Sequence, residues 1–195
     1  MKRIEAFGLL TILIFTLNAC ANKDTTPLFQ ENGDSWSILG DATWTFESNE
    51  LIGTIESGAG FVITKDIYTD FELQLEFNPD STINSGVFVR CLAAEISNTD
   101  CYEFNIWDQH PNQDSRTGAI VSRTTPLAHV ETIGQWNTYT IKNQGNKIQA
   151  WVNGTLVADI ENNERPKGYI GLQAAGKGQI KFRNVRIKKI QNEVH

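Results

Sequence analysis

The chain is 195 residues long, 40% hydrophobic, and carries a formal net charge of −6 at neutral pH. That length can bury one sizeable core, and no second block of composition points to a second domain. The acidic balance lacks the basic stripe a nucleic-acid partner requires, which argues against DNA or RNA binding.

At the amino terminus Lys2 and Arg3 precede an apolar run from Phe7 to Leu17. The run is too short to span a bilayer as a helix and reads as a signal peptide over residues 1–19. It ends in Leu17-Asn18-Ala19-Cys20, which resembles the lipobox of bacterial lipoproteins. The resemblance implies cleavage before Cys20, acylation of that cysteine, and contact with the membrane through the lipid anchor only. Ala21, standing where an aspartate would favour retention, implies the outer rather than the inner membrane of the cell envelope. Residues 20–27 then form a polar, lipidated tether, and one domain is expected over residues 28–191, acting as a monomer. Export also bears on the other cysteines, because an oxidising compartment lets thiols pair. A disulfide between Cys91 and Cys101 is favoured over two free thiols, and no nearby histidines complete a metal site with them.

Beyond the tether the chain is a succession of short runs rich in β-branched and aromatic residues, broken by Gly, Asn and Asp. Strands are predicted at Thr43–Glu47, Glu50–Ile55, Gly60–Thr64 and Phe71–Phe77, the last alternating strictly between apolar and polar residues. Gly86–Cys91, Cys101–Trp107 and Gly118–Ser122 follow as central strands. Trp136–Lys142, Lys147–Asn153 and Thr155–Ile160 come next, with Asn153-Gly154 the strongest tight-hairpin signal. Gly168–Gln173 and Gln179–Ile190 complete the set. No run of helical periodicity occurs outside the signal peptide, so the expected fold is all-β, two stacked antiparallel sheets or a jelly roll.

Several stretches stand in a recognisable order: Tyr68-Thr-Asp-Phe-Glu-Leu73, Asn84-Ser-Gly-Val-Phe-Val-Arg90, Tyr102-Glu-Phe-Asn-Ile-Trp-Asp108 and Thr117-Gly-Ala-Ile120. Gly134-Gln-Trp-Asn137, Trp151-Val-Asn-Gly154, Gly171-Leu-Gln173 and Phe182-Arg-Asn-Val-Arg-Ile187 continue it. The ordered set resembles the 3-keto-disaccharide hydrolase domain family of the concanavalin A-like lectin and glucanase superfamily. The resemblance implies a jelly-roll sandwich whose concave face holds a carbohydrate. It also implies cleavage of glycosides, including those oxidised to a ketone at the third sugar carbon, where the neighbouring C–H becomes acidic enough for elimination.

Alternation along Tyr102–Asp108 sets Glu103, Asn105 and Trp107 on one face and Tyr102, Phe104 and Ile106 on the other. A carboxylate, an amide and an indole together suit a sugar: proton transfer, hydroxyl recognition and ring stacking. Such a face can equally be one that simply meets water. Glu103 is the first choice for a catalytic acid or base, with Asp108 as a second catalytic carboxylate. Arg90 is a candidate to bind substrate oxygen or to pair with Glu103. If Cys91 and Cys101 lie directly opposite, however, Arg90 falls on the other face unless a bulge intervenes, the cysteines lie in the connecting loop, or Arg90 is structural. The loop Asp108–Arg116 brings Asp108, His110 and Asp114 to the rim, as substrate contacts, as ligands for a hard cation such as calcium, or as ordinary surface. His129 reads as a surface histidine, and Trp136 and Trp151 as core. Gln173 is a candidate for a sugar hydroxyl, but Ala174-Ala175-Gly176 follows where many members of the resembled family place an acid or a histidine. A non-catalytic carbohydrate-binding lipoprotein is therefore the alternative to an enzyme.

Overall fold

The structure, a computed structural model, describes residues 24–92, 96, 97 and 99–191. The signal peptide, Cys20 and the first residues of the tether lie outside the described residues. Strands run in the order β1 (Thr26–Pro27), β2 (Trp36–Gly40), β3 (Thr43–Glu47), β4 (Glu50–Ile55), β5 (Ala59–Thr64), β6 (Phe71–Pro79) and β7 (Ile83–Cys91). β8 (Tyr102–Ile106), a 3₁₀ turn (Gln113–Ser115), β9 (Asn137–Gln144), β10 (Lys147–Val152), β11 (Thr155–Glu161), β12 (Tyr169–Gly176) and β13 (Gly178–Lys189) follow.

They form two antiparallel sheets. The larger has the order β11-β10-β9-β6-β13-β4-β3 with β1 added beside β13, and the smaller has β2-β5-β12-β7-β8. The core lies between them. In β6 the residues Phe71, Leu73, Leu75 and Phe77 are buried, while Glu72, Gln74 and Glu76 face outward. From the smaller sheet Val62, Val87, Val89, Tyr102, Phe104, Ile106, Ile170 and Leu172 meet them in one continuous cluster. Each such side chain contributes about 1.5–3 kcal/mol by leaving water. The β10–β11 hairpin turns on Asn153 and Gly154, both at positive φ, the pairing that a primed two-residue turn requires.

The all-β sandwich expected from the sequence is the one observed, with four local differences. Thr26 and Pro27, within the expected tether, pair with Ile187 and Arg186, so the fold begins before Leu28. β2 has no counterpart among the predicted strands; it is an edge strand, and its weak alternation reflects a largely exposed surface. Gly118–Ser122 is not a strand. Gly118 and Ser122 have positive φ, and only Ile120 bridges Phe104 and Thr124. Trp136 and Trp151 are half-buried on the outside of the larger sheet rather than in the core, and Arg183 stacks 3.9 Å over the Trp136 ring.

Candidate functional site

Strand register places two rows of residues side by side on the outer face of the smaller sheet. One runs Ser37, Ile63, Gly171, Phe88, Glu103, and the next runs Leu39, Phe61, Gln173, Gly86, Asn105. Tyr102, Phe104 and Ile106 point into the core, so the two faces of β8 divide as its alternation requires. Glu103 is 8% exposed, and its carboxylate has no hydrogen-bond or ion-pair partner among the described residues. Burial raises its pKa from the ordinary 4.5 to about 7.

Glycine at position 86 leaves room beside that carboxyl. A Cβ there would lie 3.4 Å from the Glu103 Cγ and 3.3 Å from the Phe88 ring, so its absence opens a methyl-sized hollow between them. Gln173 faces the hollow from β12 as the partner of Gly86, and its Oε1 is buried without a hydrogen-bond partner. The Asn84 Oδ1 is in the same condition one row further on, where Asn84 pairs with Ala175. Buried polar atoms are ordinarily satisfied, and two on one face that are not, beside the unpartnered Glu103 carboxyl, point to a group supplied from outside.

The apolar half of the face is built by Phe61 and Phe88, edge to face at 5.5 Å, with Tyr169, Ile96 and the Cys91–Cys101 disulfide. Ile96 belongs to the loop this disulfide closes, and its Cδ1 sits where a Cβ on Gly171 would be. None of Phe61, Asn84, Gly86, Phe88 or Ile96 was a sequence candidate. Gly86 within the Asn84–Arg90 stretch was the one available signal, and reading it needs the register of β7 against β8.

Arg90 does not reach this face. A bulge in β7, where Tyr169 pairs with Cys91 but Gly171 pairs with Phe88, coincides with a φ of 53° at Arg90. The bulge turns the guanidinium inward and puts both cysteines on the outer face. Fully buried, Arg90 donates from Nη1 to the carbonyls of Gly145 (3.0 Å) and Arg165 (3.2 Å), and from Nη2 to the Thr69 carbonyl (3.2 Å) and Asp70 (3.3 Å). The expected substrate contact is thus replaced by a structural clamp.

The other sequence candidates hold the loop after β8. The Asn105 side chain donates to the Ser115 carbonyl and accepts from the Ile106 amide (3.0 Å), which fastens the 3₁₀ turn to the strand. Trp107 is half-buried and meets His110 edge-on at 4.5 Å; the His110 Nδ1 accepts the Asn112 amide proton at 3.0 Å. Asp108 is buried and accepts from the Thr132 amide (2.5 Å) and hydroxyl (3.0 Å), with Arg116 at 3.9 Å. Both its oxygens are occupied by donors, and this does not fit a cation ligand. Asp114 is exposed on the 3₁₀ turn, and among the described residues no group of three or more His, Cys, Asp or Glu converges as metal ligands. Ala174 is in the core and Ala175 is on the outer face, so the acid or histidine expected there by resemblance has no substitute at that spot.

A family model described as the 3-keto-alpha-glucoside-1,2-lyase-like domain matches residues 24–188. No curated protein matches the chain. Among solved structures, the chain is similar to a candidate glycosyl hydrolase from Parabacteroides distasonis, with 27% identity, a TM-score of 0.74, and coverage of 85% of this chain and 99% of that one. A second candidate glycosyl hydrolase from the same organism has 18% identity and a TM-score of 0.72 over 86% and 94% of the two chains. The carbohydrate-binding module CBM66 from Bacillus subtilis follows, with 16% identity and a TM-score of 0.60 over 80% and 96%. At those lower identities the likeness is one of fold.

Proposed function

Because the chain belongs to the 3-keto-alpha-glucoside-1,2-lyase-like domain family, we propose that the outer face of its smaller sheet takes a carbohydrate and that Glu103 is the acid or base of glycoside cleavage there. The observation that carries this is the Glu103 carboxyl itself: buried, without a partner, raised to about 7, and bordering the hollow left by Gly86. A group with that pKa is present in both protonation states near neutrality and can take or give a proton. In a 3-keto-glycoside the ketone acidifies the C2–H bond. Glu103 removes that proton, the electron pair forms the C1–C2 double bond, and the C1–O bond to the leaving group breaks. The protonated carboxyl then returns its proton to the departing oxygen. Gln173 and Asn84 supply amides for sugar hydroxyls, and Phe61 and Phe88 supply apolar surface.

The test is Glu103→Gln, assayed for binding and for cleavage on a panel of ordinary and 3-keto glycosides. Lost cleavage with retained binding is the expected result, and unchanged cleavage would overturn the assignment. One observation favours a second reading, a carbohydrate-binding protein without turnover: the outer face has Ala175 beside Asn84, where the resembled family commonly has a functional group. Binding by the unaltered protein with no cleavage of any panel member, metals supplied, would select that reading.

Cys20 completes the proposal as the lipid anchor that holds the domain in the cell envelope, in the outer membrane. Palmitate labelling of the whole chain tests it, with Cys20→Ser as the variant expected to lose the label.

A further inference from the structure

The row next to Glu103 on the outer face is closed by a covalent bond. Cys101 stands two residues before Glu103, and Cys91 is the next outward residue after Phe88 because the bulge turns Arg90 inward. The cross-link between them therefore lies directly beside the Phe88–Glu103 pair. Phe88, Cys91 and Cys101 form a small buried cluster of their own, and Phe61, Ile96 and Tyr169 pack against it. The Phe88 ring in turn borders the same hollow at Gly86 as the Glu103 Cγ. Burial is the cause of the raised Glu103 pKa, and among the described residues the nearby charges are engaged elsewhere. Arg90 pairs with Asp70, Arg116 with Glu131 and Arg123 with Glu164, while Asp100 accepts the Ser97 hydroxyl proton. On the free side of β8, the segment bonded to it through Gly118 and Val121 brings no charge.

We propose that the Cys91–Cys101 cross-link is a positioning element of this site: with Ile96 it holds the apolar cap that keeps water from the Glu103 carboxyl, a role that rests on the function proposed for Glu103. The loop between the cysteines is tied at its ends by the bond and by the Leu92 amide on the Asp100 carbonyl (3.1 Å), and Ile96 is seated from it onto Gly171. With the sulfurs apart the loop regains conformational freedom, Ile96 leaves Gly171, and Phe88 loses packing on the side away from Glu103. Water then reaches the carboxyl, and its charged form is no longer disfavoured. A dithiol opens the bond by giving up two electrons and two protons, leaving two thiols here and a disulfide in itself. An oxidising compartment keeps it closed, so the acid–base character of this face follows the redox state of its surroundings.

The test is a carbon-13 titration of the glutamate side-chain carboxyls in the full chain, with Glu103→Gln identifying the Glu103 signal. That signal should titrate at about 7 in the unaltered protein. Cys91→Ser with Cys101→Ser, or treatment with a dithiol, should raise its acidity at least about tenfold, toward an ordinary glutamate. Ile96→Ala, which keeps the cross-link, should move it the same way by less, and Ile96→Leu should restore it. Leu51→Ala weakens the core from β4 of the larger sheet, away from the cap, and should leave the titration where it is. An unchanged titration in every variant that keeps its β8 amide signals would overturn the positioning role, as would an equal movement in Leu51→Ala. Cleavage that survives Glu103→Gln would instead remove the proposed function and leave the cap standing.

Discussion

Arg90 and Asp70 form a buried ion pair at 3.3 Å across the end of the sandwich, and the Gly145 amide completes the coordination of the same Asp70 oxygen at 3.0 Å. Removing the cation takes a buried charge partner from Asp70 and the donor from the carbonyls of Thr69, Gly145 and Arg165. Arg90→Ala is expected to cost about 3–5 kcal/mol in urea unfolding while leaving the chemistry of the Glu103 face unaltered in whatever protein remains folded. A variant of native stability with impaired sugar binding would return Arg90 to the site.

Glu103 makes stability depend on pH in a definite sense. Its folded value, about 7, lies above the ordinary 4.5, so the folded chain binds this proton more tightly than the unfolded chain does. The stabilisation is full below about 4.5 and is lost as pH rises through about 7, amounting to a loss on the order of 2–3 kcal/mol. Glu103→Gln removes this dependence. The variant should be the more stable protein at pH 8 and gain little at pH 4, and comparison at each pH isolates this carboxyl from the others. Parallel stability curves for the two proteins would contradict the burial argument.

Asp108 is expected to act through the loop rather than on substrate. Asp108→Ala leaves the Thr132 amide and hydroxyl without acceptors, at about 1–3 kcal/mol. Hydrogen exchange at Thr132 should accelerate more than exchange in β12, two strands away from β8 at the centre of the smaller sheet. Lost turnover with unchanged exchange would make it a catalytic carboxylate instead.

The disulfide and Ile96 can be separated by two variants. Opening Cys91–Cys101, by reductant or by Ser at both positions, should cost about 3 kcal/mol, as expected for a loop of this length. Gly171→Ala would place a methyl 2.3 Å from the Ile96 Cδ1 and displace that side chain. The double variant Gly171→Ala with Ile96→Ala should recover part of the stability lost in Gly171→Ala alone, and strict additivity of the two would show that the contact is not made.

Strand positions were legible because burial imposes period two on the sequence, and Phe71–Phe77 and Tyr102–Ile106 show it plainly. The faces of β8 followed from the same alternation, which is why Glu103 could be singled out. Register could not be read. The bulge at Arg90 shifts β7 by one residue, reverses the direction of a guanidinium and decides which residues neighbour Glu103, yet nothing in Asn84–Arg90 marks the positive φ. Asn105 and Asp108 have the residue types of a binding site, and their partners, Ser115 and Thr132, are revealed only once the following loop is placed in space. Ile96 was hidden for a related reason: a lone aliphatic in a polar loop shows no period, and the disulfide folds it over a glycine 75 residues later in the chain.

β13 pairs with β6, β4 and β1, so the middle of the larger sheet is supplied by the last strand among the described residues. Without that segment β6 on one side and β4 with β1 on the other have no strand between them. Pairings that join residues more than a hundred positions apart must pay for closing long loops before any contact rewards them, so this sheet is expected to fold slowly, on a scale of milliseconds to seconds.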